Sequence, residues 1–333
     1  MMRDTLKTML AAFGPTGQEG AVAAEITKLL SGKADSMKTD AMGNLIVEKK
    51  GRPEGKTIML SAHMDHIALV VTDIEDTGFL RVTNVGGISL DMTKTRHVVF
   101  GNGVEGVVVC QPVKNETAGL QHLFVDIGAE DKAGAEAKVR LGDVCVYAPD
   151  CFPLGEHRMA SPAMDDRCAC ALLCELMMQM DSPRNTIVAV FSTQEEVGLR
   201  GAACTGSRVQ PDRVLVLEAT TAADLDGVTG DKRVCVLGDG PVVSFMDGAT
   251  IYDRALYRMA RETADENGIP SQTKTAIAGG NDAGALQRAG QGSAALAVSL
   301  PCRYIHSGAS VVQQSDIDAT RALLAALLPK LYD

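Results

Sequence analysis

Apolar residues recur at helical spacing over Leu6–Phe13 and over Ala21–Leu30, and strand-like runs follow at Asn44–Val47 and Thr57–Leu60. From about Ile67 to Ala148 the texture changes. Short β-branched runs at Leu69–Thr72, Phe79–Val82, His97–Phe100, Gly106–Cys110, His122–Asp126 and Asp143–Tyr147 are separated by Gly, Asn and Asp. That spacing predicts a β-rich module with one short helix near Lys132–Lys138. After Pro162 the pattern predicts helix Asp166–Met180, strands Thr186–Ser192 and Arg213–Leu217, helix Ile251–Asn267, strand Ala294–Leu300 and a closing helix Asp316–Leu331. The expected fold class is α/β, interrupted by a β-rich insertion. No internal repeat or low-complexity linker breaks the chain.

Composition narrows the function. A chain of 333 residues with 46% apolar and 22% charged residues is globular, with room for about two domains. Its 32 basic and 42 acidic residues give a net charge of −10, which argues against a nucleic-acid partner. No run approaches the roughly 18 apolar residues of a membrane span, and Met1–Asp4 leads into a helical pattern instead of an export signal. With no Trp and 4% aromatic residues, a sugar- or base-stacking surface has little to work with. The nine cysteines form no C-x-x-C pair; Cys168, Cys170 and Cys174 fall in an apolar helical pattern and read as reduced core thiols of a cytoplasmic protein.

Several predicted strands end in side chains able to bind metal, where ligands of an open α/β sheet are expected. Thr57–Ala62 runs into His63-Met64-Asp65, Thr186–Ser192 into Thr193-Gln194-Glu195-Glu196, Arg213–Leu217 into Glu218, and Ala294–Leu300 is followed by His306. Asp165-Asp166 heads an apolar helix. Taken singly, each has a plain structural reading: an N-cap aspartate, a satisfied histidine, a solvated glutamate pair. Together they converge on one rim. Two divalent cations would be neutralised by Asp165, Glu196, Glu218 and one hydroxide, and imidazole with carboxylate is a ligand set that zinc accepts. Asp65 can take the other N–H of the His63 imidazole and fix its tautomer. In Glu195-Glu196, one residue can bind metal while the other serves as a base.

At these residues the chain resembles the tetrahedral aminopeptidases, dinuclear metallopeptidases that include glutamyl and deblocking enzymes and some members labelled endoglucanase. Phe13–Gly17, Asp40–Leu45, His63–Asp65, Met164–Arg167, Gln194–Ala202, Gly279–Ala283 and Pro301–Ser307 carry the resemblance across nearly the whole sequence. It implies one metal held by His63, Asp165 and Glu218, a second held by Asp165, Glu196 and His306, and Glu195 as general base with Asp65 orienting His63. It implies two divalent cations per subunit, zinc with cobalt or manganese as alternatives, and short peptides as substrates. It also implies a three-layer catalytic domain with a mainly parallel sheet, formed by residues 1–66 and 160–333. A PDZ-like oligomerisation domain at 67–159 would interrupt it, in a homo-oligomer of dimers assembling into a dodecamer.

The chain departs from the family pattern in four places: Glu218 stands for Asp, His66 for Glu, Asn281 for Thr, and the run Gly308-Ala309-Ser310 for Pro-Val-Glu. None removes a ligand or the base; substrate preference is what they bear on. The rival readings are a metal-dependent deacylase or amidohydrolase on N-acylated substrates, and a non-catalytic shell-forming scaffold, which would be expected to lose ligands. A metal-free glycosidase with paired carboxylates sits poorly with the missing tryptophans. Gly101–Gly106 fits G-x-G-x-x-G but leads into a strand, so it reads as a hairpin. Ser271–Lys274 fits S-x-x-K without its partner motifs.

Overall fold

Strand Thr57–His63 is buried from Ile58 through His63 without interruption, a pattern that requires cover on both faces. The computed structural model, which describes residues 2–112, 117–181 and 183–332, places this strand inside an eight-stranded sheet. Thr186–Ser192 runs parallel on one side, setting Ser192 opposite His63. Arg213–Thr221 runs parallel on the other, followed by Ala294–Cys302, with Glu218 opposite Ser299. Leu45–Lys49 and Ser36–Thr39 finish one edge antiparallel, and the two-residue strands Val242–Val243 and Gln272–Thr273 finish the other. The four central strands share one direction, so their carboxyl ends form a single rim.

Helix Met164–Gln179 packs on Thr57–His63 and Arg213–Thr221, flanked by helices Met2–Ala11 and Gln314–Leu327. Helices Arg200–Val209 and Ala283–Leu286 pack together, the first also on Thr186–Ser192 and the second on Arg213–Thr221 and Ala294–Cys302. Between Thr57–His63 and Met164–Gln179 the chain leaves the sheet to form a closed antiparallel barrel. Its strands, in order, are Ala68–Ile74, Leu80–Val85, Leu123–Asp126, Glu105–Cys110, His97–Phe100 and Val144–Tyr147. Leu69, Leu80, Phe100, Val108, Val125 and Tyr147 belong to its own buried cluster. A three-stranded sheet then pairs Arg158–Ser161 with Phe152–Leu154 and, across the chain, with Ser310–Gln313.

The sequence pattern and the structure differ at several elements. Arg213–Leu217 continues to Thr221, so Glu218 lies within the strand instead of beyond it. Helix Arg200–Val209, absent from the expected elements, carries two helix-weakening glycines, Gly201 and Gly206. Strand Ser36–Thr39 is a polar edge strand. The helix expected at Ile251–Asn267 begins at Arg254, where Asp253 caps it by accepting from the N–H groups of Ala255 and Leu256. Gly103 turns the hairpin between His97–Phe100 and Glu105–Cys110, so no helix follows the glycine-rich run. Among the described residues no helix is long and apolar enough to cross a membrane.

One buried cation ties the N-terminal segment to this frame. Arg167, fully buried, donates to the carbonyls of Met64 (2.7 Å), Met9 (2.7 Å), Gly14 (3.0 Å) and Ala12 (3.2 Å). Removing the guanidinium strands the carbonyls of Met64, Gly14 and Ala12, while that of Met9 keeps the Ala12 N–H, and each buried unsatisfied group costs about 1–3 kcal/mol. Arg167→Met should therefore lower stability by at least about 3 kcal/mol, read as a fall in the urea midpoint with an unchanged slope.

Candidate metal centre

At the rim, two imidazoles flank one carboxylate. His63 Nε2 lies 3.1 Å from Asp165 Oδ1 and 3.2 Å from Glu218 Oε1. His306 Nε2 lies 3.2 Å from Asp165 Oδ2 and 3.3 Å from Glu196 Oε2. Asp165 thus offers one oxygen to each half. Its backbone, like that of Asp166, is non-helical although it heads a helix. The regular helix starts only after Asp166, and the hydrogen bonds of both aspartate side chains go to His63 and His306 instead of to its first N–H groups.

The pairing of acids with imidazoles is incomplete in a telling way. Glu196 Oε1, Glu218 Oε2 and Asp166 Oδ1 are buried and have no hydrogen-bond partner. Buried carboxylate oxygens are rarely left so. Ligand atoms of His63, Asp165 and Glu196 all lie within 4.8 Å of one another, and so do those of His63, Asp166 and Glu218. Nitrogen and oxygen donors at this density fit divalent cations. Burial pushes the Glu218 carboxyl up to about 8 against the opposing charge of His63. Burial likewise raises Glu195 well above the ordinary carboxylate range. For Asp165, burial works in the same direction but is overcome by hydrogen bonds from His306 and His63, which leave the carboxyl below its ordinary range.

Asp65 organises the supporting layer. His63 Nδ1 is 3.0 Å from the Asp65 backbone carbonyl and 3.4 Å from its carboxylate, so the carbonyl is the nearer partner. The carboxylate accepts from the N–H groups of Glu195 (3.0 Å) and Glu196 (3.2 Å) and from Thr16 Oγ1 (2.8 Å). Glu19 accepts from the preceding N–H, that of Gln194, at 3.1 Å. Gln194 and His306 have φ of 55° and 59°, a left-handed conformation that side-chain-bearing residues adopt at a cost of order 1 kcal/mol and that recurs at functional sites. Asn44 closes the loop from below, accepting from Thr193 N–H and donating to the Gly201 carbonyl. A Cβ at Gly201 would stand 2.2 Å from Asn44 Oδ1, so this approach needs glycine.

The residues read from the strand ends and from the helix head are therefore brought together: His63, Asp165, Glu196, Glu218 and His306 form the cluster, and Glu195 lines the adjoining cavity of about 350 Å³. Two groups received no role from the sequence. Asp166, fully buried, accepts from the His63 N–H at 3.3 Å. Asp282, fully buried, accepts from Ser192 Oγ, and burial raises its carboxyl to about 6. Asp166 was visible as half of an aspartate pair and Asp282 as part of Gly279–Ala283, but only the fold sets them beneath the site. Asn281 lines the cavity and donates to the Tyr252 hydroxyl at 3.0 Å. His66 is not among the cavity-lining residues; burial, with the charge of Arg167, lowers its imidazole to about 3 and keeps it neutral.

An α/β sheet with imidazoles and carboxylates gathered at its carboxyl rim is an arrangement that fits a metal-dependent hydrolase. Residues 43–323 match the model of the M42 glutamyl aminopeptidase family, and the chain belongs to that family. A putative aminopeptidase of Acetivibrio thermocellus is 34% identical over 329 residues, 98% of each chain. The aminopeptidase APDkam598 of the archaeon Desulfurococcus kamchatkensis superposes with a TM-score of 0.94 at 30% identity, over 99% of this chain and 94% of that one. The TET1 peptidase of Pyrococcus horikoshii, which can assemble into a tetrahedron or a large octahedral shell, superposes at 0.87 with 32% identity, over 98% and 99% of the two chains.

Asp65→Ala deprives Thr16, His63 and the N–H groups of Glu195 and Glu196 of one shared carboxylate. Divalent-cation affinity should fall about 10- to 100-fold, the usual cost of losing a partner that orients ligands, with Asp65→Asn intermediate. Calorimetric titration of the metal-stripped protein measures both.

Proposed function

We propose that the chain is an aminopeptidase whose centre holds two divalent cations, one on His63, Asp165 and Glu218 and the other on Asp165, Glu196 and His306. The observation that carries this is the placement of Asp165, with one oxygen facing each imidazole. Zinc suits the mixed nitrogen and oxygen donors, and cobalt or manganese would accept them. Bound there, the cations supply Lewis acidity toward a scissile carbonyl and acidify water. Glu195, its affinity for protons raised by burial, takes a proton on its carboxylate from the attacking water and passes it to the leaving amine. Asp65 holds Glu195 and Glu196 in register through their backbone N–H groups.

The cavity favours a free amino terminus over an acylated one. Glu195 lines it without being committed to a cation, and a free α-amino nitrogen can serve as a ligand to a bound divalent cation, which an acylated nitrogen cannot. Parallel assays on one peptide with a free and an acetylated N-terminus test this against the deacylase reading, which requires the acetylated form to turn over. Lys274 supplies the single Lys or Arg side chain among the described lining residues, with Nζ donating to the Ala278 carbonyl at 2.8 Å. Beside it stand Thr220, Thr221 and Ser244. A lone ammonium in a polar recess suits an acidic side chain on the residue to be released.

The barrel, with its own buried cluster, supports a division into a catalytic unit of residues 1–66 and 160–333 and a PDZ-like assembly unit of residues 67–159. Val107 and Leu141 expose large apolar side chains on that module, in keeping with subunit contacts in a dodecamer built from dimers. Nine free cysteines support a cytoplasmic setting.

Two variants test the chemistry. Glu195→Gln should retain metal content while kcat falls about 10²- to 10⁴-fold; near-normal turnover would remove Glu195 as the base. Lys274→Ala should lower kcat/KM for a glutamyl substrate about 10- to 100-fold, as expected for loss of a charge-assisted hydrogen bond. Turnover of a leucyl substrate should be almost unchanged. Equal loss on both substrates would assign Lys274 to the fold of the cavity wall.

A further inference from the structure

The two halves of the centre are supported differently. His63 and Glu218 sit deep in the sheet, 1% and 7% exposed. The His306 side chain is 31% exposed and stands on a loop whose backbone is left-handed at that residue. What backs this second half comes from the barrel. Strand Leu80–Val85 ends in Gly86-Gly87, and a Cβ on Gly87 would stand 3.1 Å from His306 Nδ1 and 3.4 Å from its Cε1. A Cβ on Gly86 would stand 3.2 Å from Glu196 Cβ, 3.4 Å from Glu196 Oε2 and 2.8 Å from Ile67 Cγ2. Gly86 also has φ of 84°, and its carbonyl accepts from Asn84 Nδ2 at 2.7 Å, which pins the turn. The same loop meets the barrel again where Gly308 approaches Arg96 and Tyr147.

We infer that the Gly86–Gly87 turn of the barrel is a positioning element for the Glu196–His306 half of the metal centre. Resting on the dinuclear reading above, this gives the inserted module a part in the site beyond assembly. The bare backbone of the turn fills the space behind the ligands where a side chain would displace them. Only one half is affected, because the turn approaches Glu196 and His306, whereas His63 and Glu218 are buried in the sheet. Ligand-supporting contacts of this kind typically govern metal affinity by about 10- to 100-fold.

Zinc titration of the metal-stripped protein by calorimetry tests the inference, with His306→Ala identifying which binding event belongs to the second half. Wild type should show two events per chain. Gly87→Ala, whose backbone tolerates a side chain, should weaken the event lost in His306→Ala about 10- to 100-fold. The other event, and the melting temperature of the metal-stripped protein, should stay unchanged. Asn84→Ala, which loosens the turn without adding bulk, should shift the same event in the same direction and carries the test if Gly87→Ala does not fold. Two unaltered events in the folded variants, or equal weakening of both, would overturn the inference and leave the dinuclear centre standing. A wild type that binds fewer than two zinc ions would overturn the dinuclear reading itself.

Discussion

The site depends on one buried carboxylate, that of Asp65. It stands just past the end of the central strand, fully buried, and gathers the strand end, the N-terminal segment and the Glu195–Glu196 loop onto two oxygens. Burial alone would push its proton affinity up. The hydrogen bonds and charge of His63, with the bonds from Glu195 and Thr16, outweigh that and hold the group ionised. A charge kept in the interior is tolerable only when it is so fully hydrogen-bonded. The same bonds fix which way Glu195 and Glu196 leave the backbone.

Around this anchor the acidic excess of the chain acquires a local meaning. Asp165, Asp166, Glu218 and Asp282 are all buried within the same region. Mutual repulsion and desolvation would make such a set costly without counter-charge. Two imidazoles meet part of the need; the divalent cations proposed above would meet the rest and would occupy the buried oxygens left without a donor. Arg167 lies close by, yet its hydrogen bonds go to four backbone carbonyls instead of to the acids. Its task is to clamp Met9–Gly14 against Met64 and so hold Thr16 within reach of Asp65.

Much of this was legible in the sequence because strands buried on both faces read as apolar runs, and their polar ends stand out against them. His63, Glu196 and His306 were found that way. Glu218 was found too, although its strand runs on to Thr221. Other features depend on contacts between distant segments that no local pattern encodes. Asn44 meets Gly201, Glu19 meets the N–H of Gln194, and Gly87 meets His306. The helix Arg200–Val209 was hidden for a different reason: its glycines serve packing against Asn44 and against Ala289, at the expense of helix propensity. The resemblance to tetrahedral aminopeptidases marked Phe13–Gly17 and Asp40–Leu45 as motifs, and the hydrogen bonds of Thr16 and Asn44 give them a physical purpose.

The central claim is that one carboxylate, Asp165, is shared between two cations. Metal content per chain, measured after dialysis against limiting free zinc, tests it directly. The wild type should retain two ions, Glu218→Ala about one, and Asp165→Ala close to none, because its loss opens both halves together. Retention of one ion or more by Asp165→Ala, equal to that of Glu218→Ala, would contradict a shared ligand.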